Sequence, residues 1–286
     1  ALDELRFTAR ALAPHEFLLR PTVSGVIMTR SDKNNRNSWA VPENWQNDTL
    51  PQGDDNAIVG LGVTVQLQEA EIPSFSGSLV LREKATLILW GDQGLALLPK
   101  DPATLVLHHD ARLIFRTHNC DLGPVELVGD AEIWGGASTS GHRGTRQFTK
   151  PITGPGKLTI NGVNKNTIIF ESANTFTGGF EASSSMKQGF RVLVKGRGTL
   201  GRGDIIIGES CSLELAKDSG GVIPNNVTLS LEGANGSSSQ KLVLDAGETV
   251  GAFFIDGKDQ GVGTFSSKTH PKYIGGAGTL KVTGLK

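Results

Sequence analysis

The chain has 286 residues, of which 28 are basic, 29 acidic and 37 glycine, for a formal charge of −1. No block of like charges marks it for nucleic acid or an anionic membrane, and no apolar run of about 18 residues offers a transmembrane helix. Glycine at about twice ordinary usage, without the strict period of collagen, has to come from turns.

The first 30 residues open with ALDELRFTARALAPHEFLLR, where Leu2, Leu5, Ala9 and Leu12 fit one apolar helix face. We read them as an N-terminal cap or lead-in. Residues 29–56 are polar and turn-rich, with Trp39 and Trp45 as aromatic anchors ahead of the first strand. The expected organisation is a cap and lead-in loop over 1–56 and a repetitive body over 57–286.

The body begins at AIVGLGVTVQL (57–67), and short apolar segments alternating at period two then recur to the end. They include GSLVL (77–81), ATLIL (85–89), ATLVL (103–107), ARLIF (111–115), VELVG (125–129) and AEIWG (131–135). The later ones are GKLTI (156–160), NTIIF (166–170), RVLVK (191–195), GDIII (203–207), CSLEL (211–215), VTLSL (227–231), KLVLD (241–245) and GTLKV (278–282). Each is bounded by turn formers and rich in β-branched residues and leucine, which is a strand signature.

The linkers are too short for crossover helices, which need a dozen or more residues. Asn-Gly, the strongest hairpin signal, occurs only at 161–162 and 235–236. Similar short strands in imperfect succession therefore predict coils stacked on one axis: an all-β, right-handed parallel β-helix with a short N-terminal cap. Alternation points Ala103, Leu105, Leu107, Ala111, Leu113, Phe115, Leu213 and Leu215 inward and leaves the residues between them to solvent.

Two segments resemble known families. In NTFTGGFEA (174–182) and GRGTLGRGDIIIGESCSLELA (196–216), the residues Asn174 to Gly179, Gly198 to Gly201, Leu213 and Leu215 occupy places like those of the autotransporter-associated β-strand repeat of secreted bacterial β-helices. The C-terminal YIGGAGTLKVTG (273–284) resembles the terminal coils of such proteins. SWAVPENWQNDTLPQGDDNAIVGLGVTVQL (38–67) is similar to the opening of extracellular solenoids, some of which act on glycans. These resemblances imply a pectate-lyase-like solenoid that is secreted or displayed at the cell surface. The matching residues are turn and core residues, so the resemblance implies no activity.

The densest group of chemically able side chains is LHHDARLIFRTHNCD (107–121). Alternation places Arg112, Ile114, Arg116 and His118 on one outward face, with His108, His109 and Asp110 in the turn before it. A β-helix lyase needs a base for the proton α to a uronate carboxyl and a cation for the enolate-like transition state. His109, Arg112, Arg116 and His118 are the candidates for those roles. The plainer alternative is a solvated strand face with mixed polar residues. A transition metal on His108, His109 and Asp110 is disfavoured because adjacent side chains diverge. Pectate-lyase-type helices hold Ca2+ with carboxylates on neighbouring coils, but the acidic residues here are scattered and form no calcium-loop motif.

Trp90 and Trp134 end similar strands, LILW and AEIW, about two coils apart, and could stack on sugar rings in register. The excursion GASTSGHRGTRQFTK (136–150) reads as a projecting loop whose His142, Arg143 and Arg146 could meet an acidic glycan. Cys120 and Cys211 make no metal-type spacing, and the sequence leaves open whether they pair. GRGTLGRG (196–203) and GGAG (275–278) precede no helix pattern and so give no phosphate cradle.

The expected function is thus a secreted or cell-surface β-solenoid that binds extracellular polysaccharide or serves as a structural passenger segment. The alternative is a β-helix polysaccharide lyase or glycoside hydrolase acting on an acidic glycan.

Overall fold

Strands this short, separated by single turns, cannot bury a face alone, and they do so by stacking each coil on the last. The computed structural model describes residues 24–31, 38–68, 76–91, 98–100, 102–116, 119–135, 144–162, 166–184, 189–216, 221–233 and 240–285. They form a parallel β-solenoid. A six-stranded sheet holds, in stacking order, Val26–Met28, Ala57–Val59, Leu79–Leu81, Leu105–Leu107, Val125–Leu127 and Ile152–Thr153.

A ten-stranded sheet runs from Thr64–Leu67 through Thr86–Trp90, Ala111–Arg116, Ala131–Gly135, Leu158–Gly162, Phe180–Ser183, Ile205–Ile207 and Thr228–Leu231 to Ala252–Ile255. It is closed by the antiparallel Lys258–Asp259. A seven-stranded sheet stacks Cys120–Leu122, Thr145–Phe148, Thr167–Phe170, Arg191–Val194, Ser212–Leu215, Leu242–Leu244 and Ile274–Gly275. The chain alternates between the six- and ten-stranded sheets in its first coils, visits all three in its middle coils, and alternates between the ten- and seven-stranded sheets in its later ones. Near its C-terminus, Thr279–Val282 pairs with Glu248–Val250 and Gly263–Ser266 in a small closing sheet.

Register aligns the inward residues into ladders. Val65, Leu87, Leu113, Ile133, Ile160, Ala182, Ile207, Leu231 and Ile255 form one such row. Opposite it, Leu122, Phe148, Phe170, Val194, Leu215 and Leu244 form another, in which the rings of Phe148 and Phe170 stack 4.8 Å apart. Every ladder residue expected to be inside is buried, except that Ala103 is only half-buried and precedes its strand. A third row runs Leu67, Leu89, Phe115, Gly135, Gly162. It shrinks to glycine where Arg146 and Phe190 fill the interior: a Cβ on Gly162 would lie 2.4 Å from the Phe190 ring.

The segment read as a single strand over 57–67 is two, because Gly60 to Gly62 turn the corner between sheets. Within the 1–56 lead-in, Val26–Met28 already pairs with Ala57–Val59. The expected helix face at Leu2 to Leu12 lies outside the described residues. Trp39 and Trp45 are buried edge to face at 4.7 Å and plug the first coil. Beside them the Ser38 hydroxyl accepts the Gln66 N–H at 2.9 Å, occupying an edge donor that another chain could otherwise pair with.

Corners are where backbone groups leave the ladder, and side-chain amides and carboxylates take them up. Asn56 donates to the Ser24 carbonyl and accepts from Ser78 N–H. Asn166 does the same between Gly135 and Gly144. Asn174 accepts the Ile152 N–H at 2.8 Å and donates to the Thr199 carbonyl at 2.6 Å, so one buried amide ties three coils. The Thr199 hydroxyl closes the set, accepting from the Asn174 N–H and donating to its carbonyl. Gly201, at φ +81°, sits against the buried Phe176 ring with no room for a Cβ.

Two substitutions test this account. Leu113→Ala should cost roughly 2–5 kcal/mol through lost burial and a cavity. Asn174→Ala should cost about 1–3 kcal/mol for each backbone group left unpaired. Chemical denaturation midpoints measure both, and a loss below about 0.5 kcal/mol for either would remove that residue from the interior.

Candidate ligand-binding face

Because alternation is strict, the outer face of the ten-stranded sheet is as regular as its inner one. One outward row is Thr64, Thr86, Arg112, Glu132, Thr159 and Glu181, and the next is Gln66, Ile88, Ile114, Trp134 and Asn161. At the far edge Trp90 pairs in register with Arg116. The expected outward placement of Arg112, Ile114 and Arg116 holds. His118 lies outside the described residues.

Each group on this face has a neighbour one coil away. The Arg112 Nε lies 3.0 Å from a Glu132 carboxylate oxygen, and Asn161 donates to the other oxygen at 3.2 Å. Lys157 pairs with Glu181 at 2.9 Å. The Arg116 guanidinium lies 4.2 Å over the Trp90 ring, whose Nε1–H donates to Gln66 at 3.3 Å. Such a stacked cation is held by the ring quadrupole and by shared apolar surface.

Arg112 and Arg116 therefore extend in opposite directions along the axis, one toward the next coil and one toward the preceding coil. They are also four residues apart on one strand, roughly 13 Å at about 3.3 Å per residue. His109 is exposed in the preceding turn, 3.6 Å from Asp110, whose left-handed φ of 57° makes that turn. His108 approaches Glu83 at 3.5 Å instead. The described members of the candidate catalytic group share a side of the solenoid but do not converge on one point. Among the described residues no cluster of His, Cys, Asp and Glu could hold a metal ion.

Trp90 and Trp134 are both half-buried and stand two coils apart on this face. They are not in register, since Trp134 aligns with Ile114 and Trp90 with Arg116. The Trp134 indole nitrogen is buried and has no hydrogen-bond partner among the described residues.

The excursion over 136–150 needs correction at its C-terminal part. His142 and Arg143 lie outside the described residues, but Arg146 is in the strand Thr145–Phe148 and points inward, 1 % exposed. It occupies the interior row Cys120, Arg146, Ile168, Val192. Burial lowers the guanidinium pKa, and the neighbouring Cys120 partly opposes that shift. Phe148 carried the signal: it must face the core, and a residue two positions away shares its side.

Two further buried charges went unnoticed in the sequence. Lys241 donates to the backbone carbonyls of Gly208 and Glu232 at the centre of the later coils. Glu248 accepts from the N–H groups of Gly221, Val222 and Ile223 and holds that turn. All three charges serve the backbone or the interior rather than a cleft.

Cys120 and Cys211 are buried, free and four strand positions apart in the seven-stranded sheet, too far for a disulfide. Burial pushes both thiols up to about 12, with Arg146 near Cys120, and a backbone hydrogen bond and Lys241 near Cys211, opposing it. The chain matches no family model, no curated protein and no solved structure.

The thiols make a direct test. Native protein at pH 8 should leave both unmodified by a thiol reagent, and denatured protein should yield two equivalents. Below the ordinary thiol value of 9.0 both states are protonated and stability is independent of these groups. Between 9.0 and about 12 only the unfolded state releases the protons, so stability should fall as pH rises through that window. Arg146→Ala should lower the denaturation midpoint and leave any glycan binding unchanged.

Proposed function

We propose that the protein is a secreted or cell-surface solenoid whose ten-stranded outer face binds extracellular polysaccharide. The observation behind this reading is the strip of Trp90 with its stacked Arg116, Ile88, Ile114 and Trp134, rimmed by Arg112, Glu132 and Asn161. Apolar ring surface beside charged and amide groups suits sugars, which offer C–H faces and equatorial hydroxyls. Coils rise by about 4.8 Å, so a face of this kind presents similar contacts repeatedly along an extended polymer. The divergence of Arg112 and Arg116 favours binding over lyase chemistry, which would need a cation and a base at one carbon. Export is supported by the resemblance of residues 174–216 to repeats of secreted bacterial β-helices. In such a protein a purely structural passenger role is the neighbouring reading.

A panel of immobilised neutral and acidic polysaccharides tests this. At least one should retain the wild-type protein, and Trp90→Ala and Arg116→Ala should each weaken retention about tenfold or more, equivalent to roughly 1.4 kcal/mol per tenfold. Retention untouched by either substitution would move the site elsewhere, and no retention at all would favour the passenger role. Release of unsaturated product from a uronate polymer would replace binding by the lyase reading, with His109 and Arg116 the first residues to substitute.

A further inference from the structure

A surface that binds a polyanion sets cations along it to match the charges of the polymer, and the outer ten-stranded face arranges its charges otherwise. Arg112 and Arg116 lie on one strand, and the next cation along the tube is Lys157, two coils on. Glu132 stands one coil after Arg112 in the same outward row, and Glu181 follows Thr159 in that row. In the turns that open these strands Lys84, Asp110, Asp130, Lys157 and Asp204 succeed one another, so positive charge does not gather there either.

Two of the cations are held by carboxylates of the face itself. The Arg112 Nε is 3.0 Å from Glu132, and the Lys157 Nζ is 2.9 Å from Glu181. An exposed ion pair adds little by itself, but here the acid is the more enclosed partner. The Glu132 side chain is 19 % exposed against 56 % for Arg112, and Glu181 28 % against 36 % for Lys157. Asn161 also donates to the other Glu132 oxygen at 3.2 Å. A uronate carboxylate drawn to Arg112 or Lys157 would therefore stand beside a fixed like charge, which repels it. Arg116 lies 4.2 Å over the Trp90 ring, and its position one coil earlier is taken by that tryptophan, so it begins no ladder of cations.

We propose that the polysaccharide taken by this face is neutral, and that Glu132 selects it by accepting sugar hydroxyls while repelling uronate chains. The proposal rests on the reading of this face as a polysaccharide surface and names the class of polymer. An ionised carboxylate has about four acceptor sites, and Arg112 and Asn161 use one on each oxygen, so Glu132 still has room for hydroxyl protons. Hydrogen bonds to an ionised carboxylate are among the strong ones. Thr86 and Thr159 add hydroxyls in the same row, and Ile114 and Trp134 in the next row offer apolar surface to the C–H face of a sugar.

Retention on immobilised linear β-glucan and mannan, set against polygalacturonate and alginate at low and high salt, tests the selection. A neutral polymer should hold the unsubstituted protein with less than about twofold change between the two salts, since screening acts only on charges. The acidic polymers should not retain it. Glu132→Gln keeps the size of the side chain and removes its charge. It should lose about tenfold or more on the neutral polymer and gain a retention on polygalacturonate that high salt reverses. Glu181→Gln should give the same gain, and serves should Glu132→Gln fail to fold. Salt-sensitive retention of the unsubstituted protein by an acidic polymer overturns the selection and leaves the polysaccharide surface standing. So does neutral-polymer retention unaltered by Glu132→Gln, or no gain on polygalacturonate in either variant. Absence of retention on every polymer overturns the surface and the selection together.

Discussion

Everything in this solenoid depends on satisfying the backbone at its corners. Along each strand the N–H and C=O groups pair with the next coil automatically, but at a corner the chain turns and the ladder is interrupted. An unpaired buried peptide group costs about 1–3 kcal/mol, and the cost would recur at every turn of the tube. Side chains of the right length remove it. Asn56, Asn166 and Asn174 each donate and accept between coils, and Asn119, Asp130 and Asp204 accept an N–H of the following coil. Because these contacts also fix the offset between coils, they align the apolar ladders inside and the polar rows outside.

This explains why the most conspicuous turn residues of the sequence are uninformative about activity. Asn174, Thr199 and Gly201 serve the corner and the packing of Phe176, and their chemistry is consumed there. The same holds for the buried charges. Lys241 and Glu248 bond to carbonyls and N–H groups of neighbouring turns, and Arg146 occupies interior volume left by Gly135. Buried ionisable groups often mark a catalytic site, but here Lys241 and Glu248 brace neighbouring turns and Arg146 lies in an interior row of the tube. Function has to be sought on the outward rows, where side chains are not needed by the fold.

Those rows differ from side to side. The ten-stranded face alternates rings, arginines and carboxylates in contact across coils. The six-stranded face carries Ile27, Ile58, Val80 and Val106 over its first rungs and Glu126 and Thr153 beyond them.

Period-two alternation made the strands, the inward ladders at Leu105, Leu107, Leu113, Phe115, Leu213 and Leu215, and the outward position of Arg112 and Arg116 legible in the sequence, because a pleated strand leaves a side chain only two directions. Arg146 was legible too, but only through Phe148, since a polar stretch between glycines otherwise reads as a loop. Contacts between coils were not legible. Which residue lies one rung away depends on the length of every intervening loop, and a change of two residues would carry Trp90 from Arg116 to Ile114. The pairing of Trp90 with Arg116, the divergence of the two arginines and the gathering of Ile58, Val80 and Val106 into one row were therefore decided by the tertiary structure, because only coil stacking converts positions along a chain into neighbours across it.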